Sequence, residues 1–192
     1  MKAPERVETA RLLLRRPVAR DAEVIFSRYA SDPEVTRYLG WPRHRALEDT
    51  RRFLEYGDAE WHRWPAGPYL IESLESGVLL GGTGLAFETP YRAATGYVLA
   101  LDAWGRGYAT EALRAVTGIA GGLGLRRLYA LCHPEHSASR RVLDKCGFSR
   151  EGTLRQHTVF PNLDPSGPCD TLCYSWVVPS GEGPAIANTR SP

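Results

Sequence analysis

Lysine is almost missing from this chain. Only Lys2 and Lys145 occur, and the other 22 of its 24 basic residues are arginine. The arginines are scattered and nearly balanced by 22 acidic residues, leaving a formal net charge of +2. No basic block marks a nucleic-acid surface, so nucleic acid is not an expected partner. Long apolar runs are absent too, and nothing approaches the ~18 residues that a membrane helix needs. The charged opening from Met1 to Arg6 lacks an apolar stretch of the secretory kind. A cytoplasmic location and no membrane partner are the expectation. The four cysteines, Cys132, Cys146, Cys169 and Cys173, contain no CxxC pair. No metal centre is therefore expected, and free thiols in a reducing compartment are the plain reading.

What is present suits one folded domain. A chain of 192 residues that is 43% hydrophobic has material for a core and buries roughly 70% of its unfolded surface. Arg11–Arg15 reads as a short strand, followed by helical spacing of Ala22, Ile25, Phe26 and Tyr29 and by a second helix from Leu47 to Trp61. Tyr69–Ile71, Val78–Phe87 and Thr95–Leu101 read as an antiparallel meander. Gly107–Leu123 has one apolar face of Ala109, Ala112, Leu113, Val116, Ala120 and Leu123. A strand over Arg127–Cys132, a helix over His136–Cys146 and strands near Phe148–His157 and Thr171–Val178 complete an α+β domain over residues 1–178. The segment from Phe160 to Pro168 is expected as a long hairpin loop, serving the acceptor site or a homodimer contact. The tail from Pro179 to Pro192, rich in Gly, Pro and Ser, is expected to fray.

The chemistry is concentrated in Trp104-Gly105-Arg106-Gly107-Tyr108-Ala109-Thr110, a glycine turn between a strand and a helix. The first turn of a helix has four N–H groups without internal partners and a positive dipole end, so it suits an anion. Gly105 and Gly107 let a bulky anion such as a pyrophosphate approach the backbone. Arg106 adds charge and Thr110 a hydroxyl. A dinucleotide fingerprint would need a third glycine where Thr110 stands, and no GxxxxGK[ST] phosphate loop occurs. Gly81–Gly84 lies within a strand pattern and reads as a bulge or turn.

A second stretch adds to the first: His133-Pro-Glu-His136-Ser-Ala-Ser139-Arg-Arg141-Val-Leu143-Asp-Lys145-Cys-Gly147-Phe148. Here the chain resembles the GNAT superfamily of acyl-CoA-dependent N-acyltransferases. Within it the resemblance is to the Rim-type branch, which acetylates ribosomal-protein N-termini and, in many relatives, small amines. The superfamily turn reads [QR]-x-x-G-x-[GA], and Trp104–Ala109 occupies it. The pattern N-x-x-S-x-R-V-L-x-K-x-G-F is matched at Ser139, Arg141, Val142, Leu143, Lys145, Gly147 and Phe148, with His136 in place of Asn. The resemblance spans Arg11 to Val178. It implies a mixed, mostly antiparallel sheet of about seven strands flanked by helices on both faces.

The resemblance implies acetyl-CoA as co-substrate, a primary amine as acceptor, and direct attack without an enzyme nucleophile. Leu99, Leu101, Trp104–Thr110, His136, Ser139 and Arg141 are then the candidate cofactor-binding residues, with an N–H near Leu99–Leu101 polarising the thioester carbonyl. Where many members carry a Tyr that protonates the leaving thiolate, this chain has Leu143. Ser139 lies one turn earlier on the same face and is the candidate thiolate donor or orienter. The carboxylate often found before the Gly-Tyr of the fourth strand is missing, and Glu88 and His157 are the candidate bases. Trp41, Tyr91 and Trp64 are the candidate acceptor-pocket residues, whereas Trp61 reads as core. The alternative is a non-catalytic acyl-CoA-binding module.

Overall fold

The computed structural model describes residues 1–178, and the tail expected to fray lies outside the described residues. Eight strands form one sheet rather than about seven: β1 (Arg6–Glu8), β2 (Leu12–Arg15), β3 (Pro68–Ser73), β4 (Leu79–Thr89), β5 (Arg92–Leu99), β6 (Arg127–Cys132), β7 (Ser149–Phe160) and β8 (Asp164–Val177). The additional strand is β1, whose three residues include a single apolar one and so carry no legible alternation. The sheet order is β1-β2-β3-β4-β5-β6-β8-β7. Every neighbouring pair is antiparallel except β5 and β6.

Alternation along the strands feeds two cores, one on each face. Tyr69 and Ile71 of β3 pack with Leu12, Leu14, Leu85, Leu113, Val116 and Leu128, while Leu70 between them packs with Ile25, Tyr29 and Leu54 on the other face. The first face is covered by α4 (Tyr108–Gly122), whose buried Ala112, Leu113, Val116 and Ala120 recur at helical spacing. The second is covered by α1 (Ala22–Ile25), a π-helical turn over Phe26–Ala30 and α3 (Leu47–Arg63); α2 (Pro33–Thr36) lies between them in the chain. Arg15 ties the second layer to the sheet, pairing with Asp21 at 2.8 Å and Glu72 at 2.7 Å. Among the described residues no helix is long and apolar enough to cross a membrane.

α5 (Ser137–Lys145) ends where Gly147, at φ 78°, lets the Phe148 N–H return to the Leu143 carbonyl at 3.1 Å. The expected long loop between the last two strands is instead a tight turn over Pro161–Leu163, because β7 and β8 pair as far as Phe160 and Asp164. The turn is anchored by Asn162. Its amide donates to the Thr36 and Trp41 carbonyls at 2.8 and 2.9 Å and accepts from the Arg43 N–H at 2.7 Å.

Candidate active site

The parallel pairing of β5 with β6 stops early. It covers Arg92–Ala94 against Arg127–Tyr129, whereas β5 stays paired with β4 as far as Leu99. Beyond Ala94 the two strands diverge and leave a wedge in the sheet. The Ala100 N–H donates to the Leu80 carbonyl at 2.8 Å, and Val98 is opposite Gly82. The alternation of an antiparallel ladder then turns the Leu99 and Tyr97 N–H groups away from β4 and into the wedge. Leu99 therefore stands where a carbonyl donor was expected. Leu101 lies past the end of β5, where the chain bends after Ala100 into a helical turn over Leu101–Ala103, and its side chain is exposed.

A cavity of about 410 Å³ is lined from both sides of the wedge. On the α5 side it meets Cys132, His136, Ser139 and Leu143, so the three helix residues do share a face as their spacing predicts. Tyr97 reaches across from β5: its hydroxyl donates to the Ser139 carbonyl at 3.0 Å and lies 2.9 Å from Ser139 Oγ. Burial above all pushes the Tyr97 phenol pKa up, so it keeps its proton at neutral pH. Burial also pushes the Cys132 thiol up, which suits a core residue and not a nucleophile.

The His136 ring stacks on Tyr38 at 4.8 Å, and Tyr38 stacks on His133 at 5.0 Å. Burial, then the neighbouring His133 and Arg141, pushes the His136 pKa down, favouring neutral imidazole. On the opposite side the cavity meets Trp41, His44, Phe53, Tyr56 and Glu60. His44 Nδ1 lies 2.8 Å from Thr50 Oγ1, and burial pushes its pKa down as well.

The glycine turn leads into α4. Gly105 and Gly107 take φ of 73° and 80°, and Gly107 is the N-cap residue. A Cβ on Gly105 would meet nothing within 4 Å, so the turn is open to an incoming group. Arg11 braces it from the start of β2: Nη1 donates to the Arg106 carbonyl at 3.1 Å, Nε to Glu111 at 2.7 Å, and the guanidinium lies 4.7 Å over the Tyr108 ring. Trp104 Nε1 donates to the Leu99 carbonyl at 2.8 Å and links the turn to the wedge. Beside Gly107 and Thr110 runs a groove lined by Arg11, Arg114 and Lys145. Ala109 packs against the core, while Arg106 and Arg141 are exposed.

Four expected residues stand apart from the cavity. Glu88 is taken up by Arg92 at 2.6 Å and by the Tyr129 hydroxyl. His157 is exposed on β7, with Nδ1 3.0 Å from its neighbour Thr158. Trp64 stacks on Phe87 at 5.4 Å against the α4-side core, because the chain leaving α3 turns to that face. Tyr91 is exposed in the β4–β5 hairpin. Trp41 does line the cavity, and Trp61 is core, with Nε1 donating to the Pro68 carbonyl at 2.8 Å. The residues that sequence reasoning missed are Arg11, Tyr97, His44 and Glu60. Only Tyr97 carried a signal, since it shares strand parity with Thr95 and Leu99.

A family model described as an acetyltransferase (GNAT) domain matches residues 11–149. The chain belongs to the GNAT acetyltransferase family. GNAT enzymes use acetyl-CoA as the acetyl donor. The chain is 34% identical over 181 residues to YoaA of Bacillus subtilis (strain 168), described as an uncharacterized N-acetyltransferase, across 90% of this chain and 97% of that protein. A solved GNAT acetyltransferase from Bacillus anthracis is 25% identical with a TM-score of 0.77, over 90% of this chain and 98% of that one. The ribosomal L7/L12 α-N-protein acetyltransferase RimL, solved with coenzyme A, has a TM-score of 0.78 at 21% identity, over 91% and 98%, and shares the fold.

Proposed function

We propose that this GNAT enzyme moves an acetyl group from acetyl-CoA to a primary amine by direct attack in a ternary complex. The observation that carries this is the wedge between β5 and β6, with a cavity reaching it from both sides. The residues fit the co-substrate. The open Gly105–Gly107 turn and the α4 N-terminus suit its pyrophosphate, with Arg11, Arg114 and Lys145 close by. When bound, acetyl-CoA supplies an activated acyl group. The Leu99 N–H, directed into the wedge, polarises the thioester carbonyl. Holding amine and thioester together contributes on the order of 7–11 kcal/mol in favourable cases.

The Ser139 hydroxyl hydrogen-bonds the departing thiolate and hands it a proton that solvent then restores to Ser139, and Tyr97 fixes where that hydroxyl sits. His44, kept neutral on the acceptor side, accepts the proton that the amine loses on attack. The test is incubation with isotope-labelled acetyl-CoA and cell extract, separated into protein and small-molecule fractions and read by mass spectrometry. Enzyme-dependent label on an amine in either fraction is expected. Binding of acetyl-CoA without label in either fraction overturns this reading in favour of a non-catalytic acyl-CoA-binding module.

A further inference from the structure

The acceptor side of the cavity carries one carboxylate and no permanent cation. Glu60 is the single acid among the lining residues, and none is arginine or lysine, although the chain has 22 arginines. None of the ion pairs among the described residues takes up Glu60. Its charge lies close to Tyr56, whose hydroxyl pKa is pushed up by burial and then by Glu60, against a smaller downward pull from Arg63, which lies over the Trp64 ring outside the lining.

The position of Glu60 relative to the wedge follows from the sheet. Gly57, one turn earlier on α3, packs so closely on Pro68 of β3 that a Cβ there would meet the proline ring at 2.8 Å. Pro68 is opposite Gly84 of β4, and Gly84 is opposite Gly96 of β5. Two strand spacings, roughly 10 Å, therefore separate the Glu60 side from the wedge. The floor between them is bare, since Gly84, Ala86, Ala94 and Gly96 all line the cavity.

A carboxylate beside the reacting nitrogen would hold it as an ammonium and oppose attack. At two strands' distance it suits a charge that persists through the reaction. We propose, resting on the acetyl-transfer reading above, that the acceptor is a linear amine with a second positive charge, which Glu60 holds while the other nitrogen reaches the wedge. Phe53, Tyr56 and Trp41 cover the methylene chain and attract the cation through their ring faces. Amines bearing an acid group are disfavoured, because their carboxylate would meet the like charge of Glu60 with no lining cation to pair with it.

The test compares hexamethylenediamine, hexylamine, ε-aminocaproate and a short serine-initiated peptide, followed by thiol release from acetyl-CoA. The diamine is expected to exceed hexylamine about tenfold in kcat/KM, and ε-aminocaproate by more. Glu60→Gln is expected to remove most of the diamine's advantage through KM, and Glu60→Lys to shift preference toward ε-aminocaproate. Calorimetric titration with acetyl-CoA checks that both variants are folded. Hexylamine or the peptide matching the diamine, or Glu60→Gln keeping the diamine preference, overturns the proposal and leaves acetyl transfer standing. Acetyl-CoA binding without turnover of any of the four overturns this proposal, and the cell-extract labelling then decides acetyl transfer separately.

Discussion

Tyr97 Oη lies 2.9 Å from Ser139 Oγ, so a strand and a helix on opposite sides of the wedge are joined by two hydroxyls. With the single Tyr97 proton on the Ser139 carbonyl, the serine hydroxyl donates to Tyr97 Oη in the resting site and turns its proton into the cavity when the thiolate departs. The fourth-strand phenol thus supports a donor on α5 at the point in the helix where Leu143 has no proton to give.

A double-mutant cycle measures this coupling. Ser139→Ala is expected to lower kcat about 100-fold, the low end of general acid catalysis. Tyr97→Phe keeps the ring packing and is expected to cost about tenfold in kcat through misorientation of Ser139. The double variant should fall no further than Ser139→Ala alone, with the KM for acetyl-CoA within about twofold throughout. Additive losses would show that the two hydroxyls act separately.

Gly107 tests the turn. At φ 80° it sits where only glycine and, at some cost, asparagine or aspartate are comfortable. Gly107→Asp should fold, with a penalty of about 1–2 kcal/mol for the left-handed backbone. It places a negative charge where the pyrophosphate belongs, and the KM for acetyl-CoA is expected to rise more than about tenfold. Arg11→Ala should raise that KM too, and Arg11→Lys should not restore it, because one ammonium cannot reach the Arg106 carbonyl and Glu111 together. Unchanged acetyl-CoA affinity in Gly107→Asp would remove the turn from the site.

The sequence made α4 legible because its apolar residues from Ala109 to Ala120 repeat at helical spacing over about three turns, and that placed the Gly105–Gly107 turn as well. The face shared by His136, Ser139 and Leu143 was legible for the same reason. The wedge was not, since it depends on where β6 stops pairing with β5, and Ala94 and Thr95 look alike as strand residues. Arg11 meets Arg106 across 95 positions, and no local pattern foretells that contact. Glu88 and His157 were plausible bases by strand position alone. The Glu88–Arg92 pair across the β4–β5 hairpin and the exposed face of β7 leave both outside the cavity lining.

The stack of His133, Tyr38 and His136 gives a pH dependence with a definite sign. Both imidazole pKa values are pushed down, mainly by burial, so the unfolded chain takes up protons before the folded one does. Stability is then fully present above the unfolded value of about 6.5 and is lost as the pH falls below it toward the folded values. Urea midpoints near neutral pH and about two units lower should show the decline. His136→Asn should flatten part of it, and an unchanged slope would show that the stack does not titrate as described.

Asn162 is one side chain holding three backbone groups of the segment that carries Trp41. Asn162→Ala leaves two carbonyls and one N–H to find water or stay unpaired, a loss of about 1–3 kcal/mol. Asn162→Asp keeps the acceptor for Arg43 but turns a carboxylate oxygen toward the Thr36 and Trp41 carbonyls, so it should be the more damaging of the two. Because Trp41 lines the acceptor side of the cavity and the acetyl-CoA turn lies elsewhere, both variants should raise the KM for the amine while the KM for acetyl-CoA stays within about twofold. Urea midpoints and separate KM measurements for the two substrates check this. Equal increases in both KM values would mean that the hairpin tip supports the whole domain and not the acceptor wall.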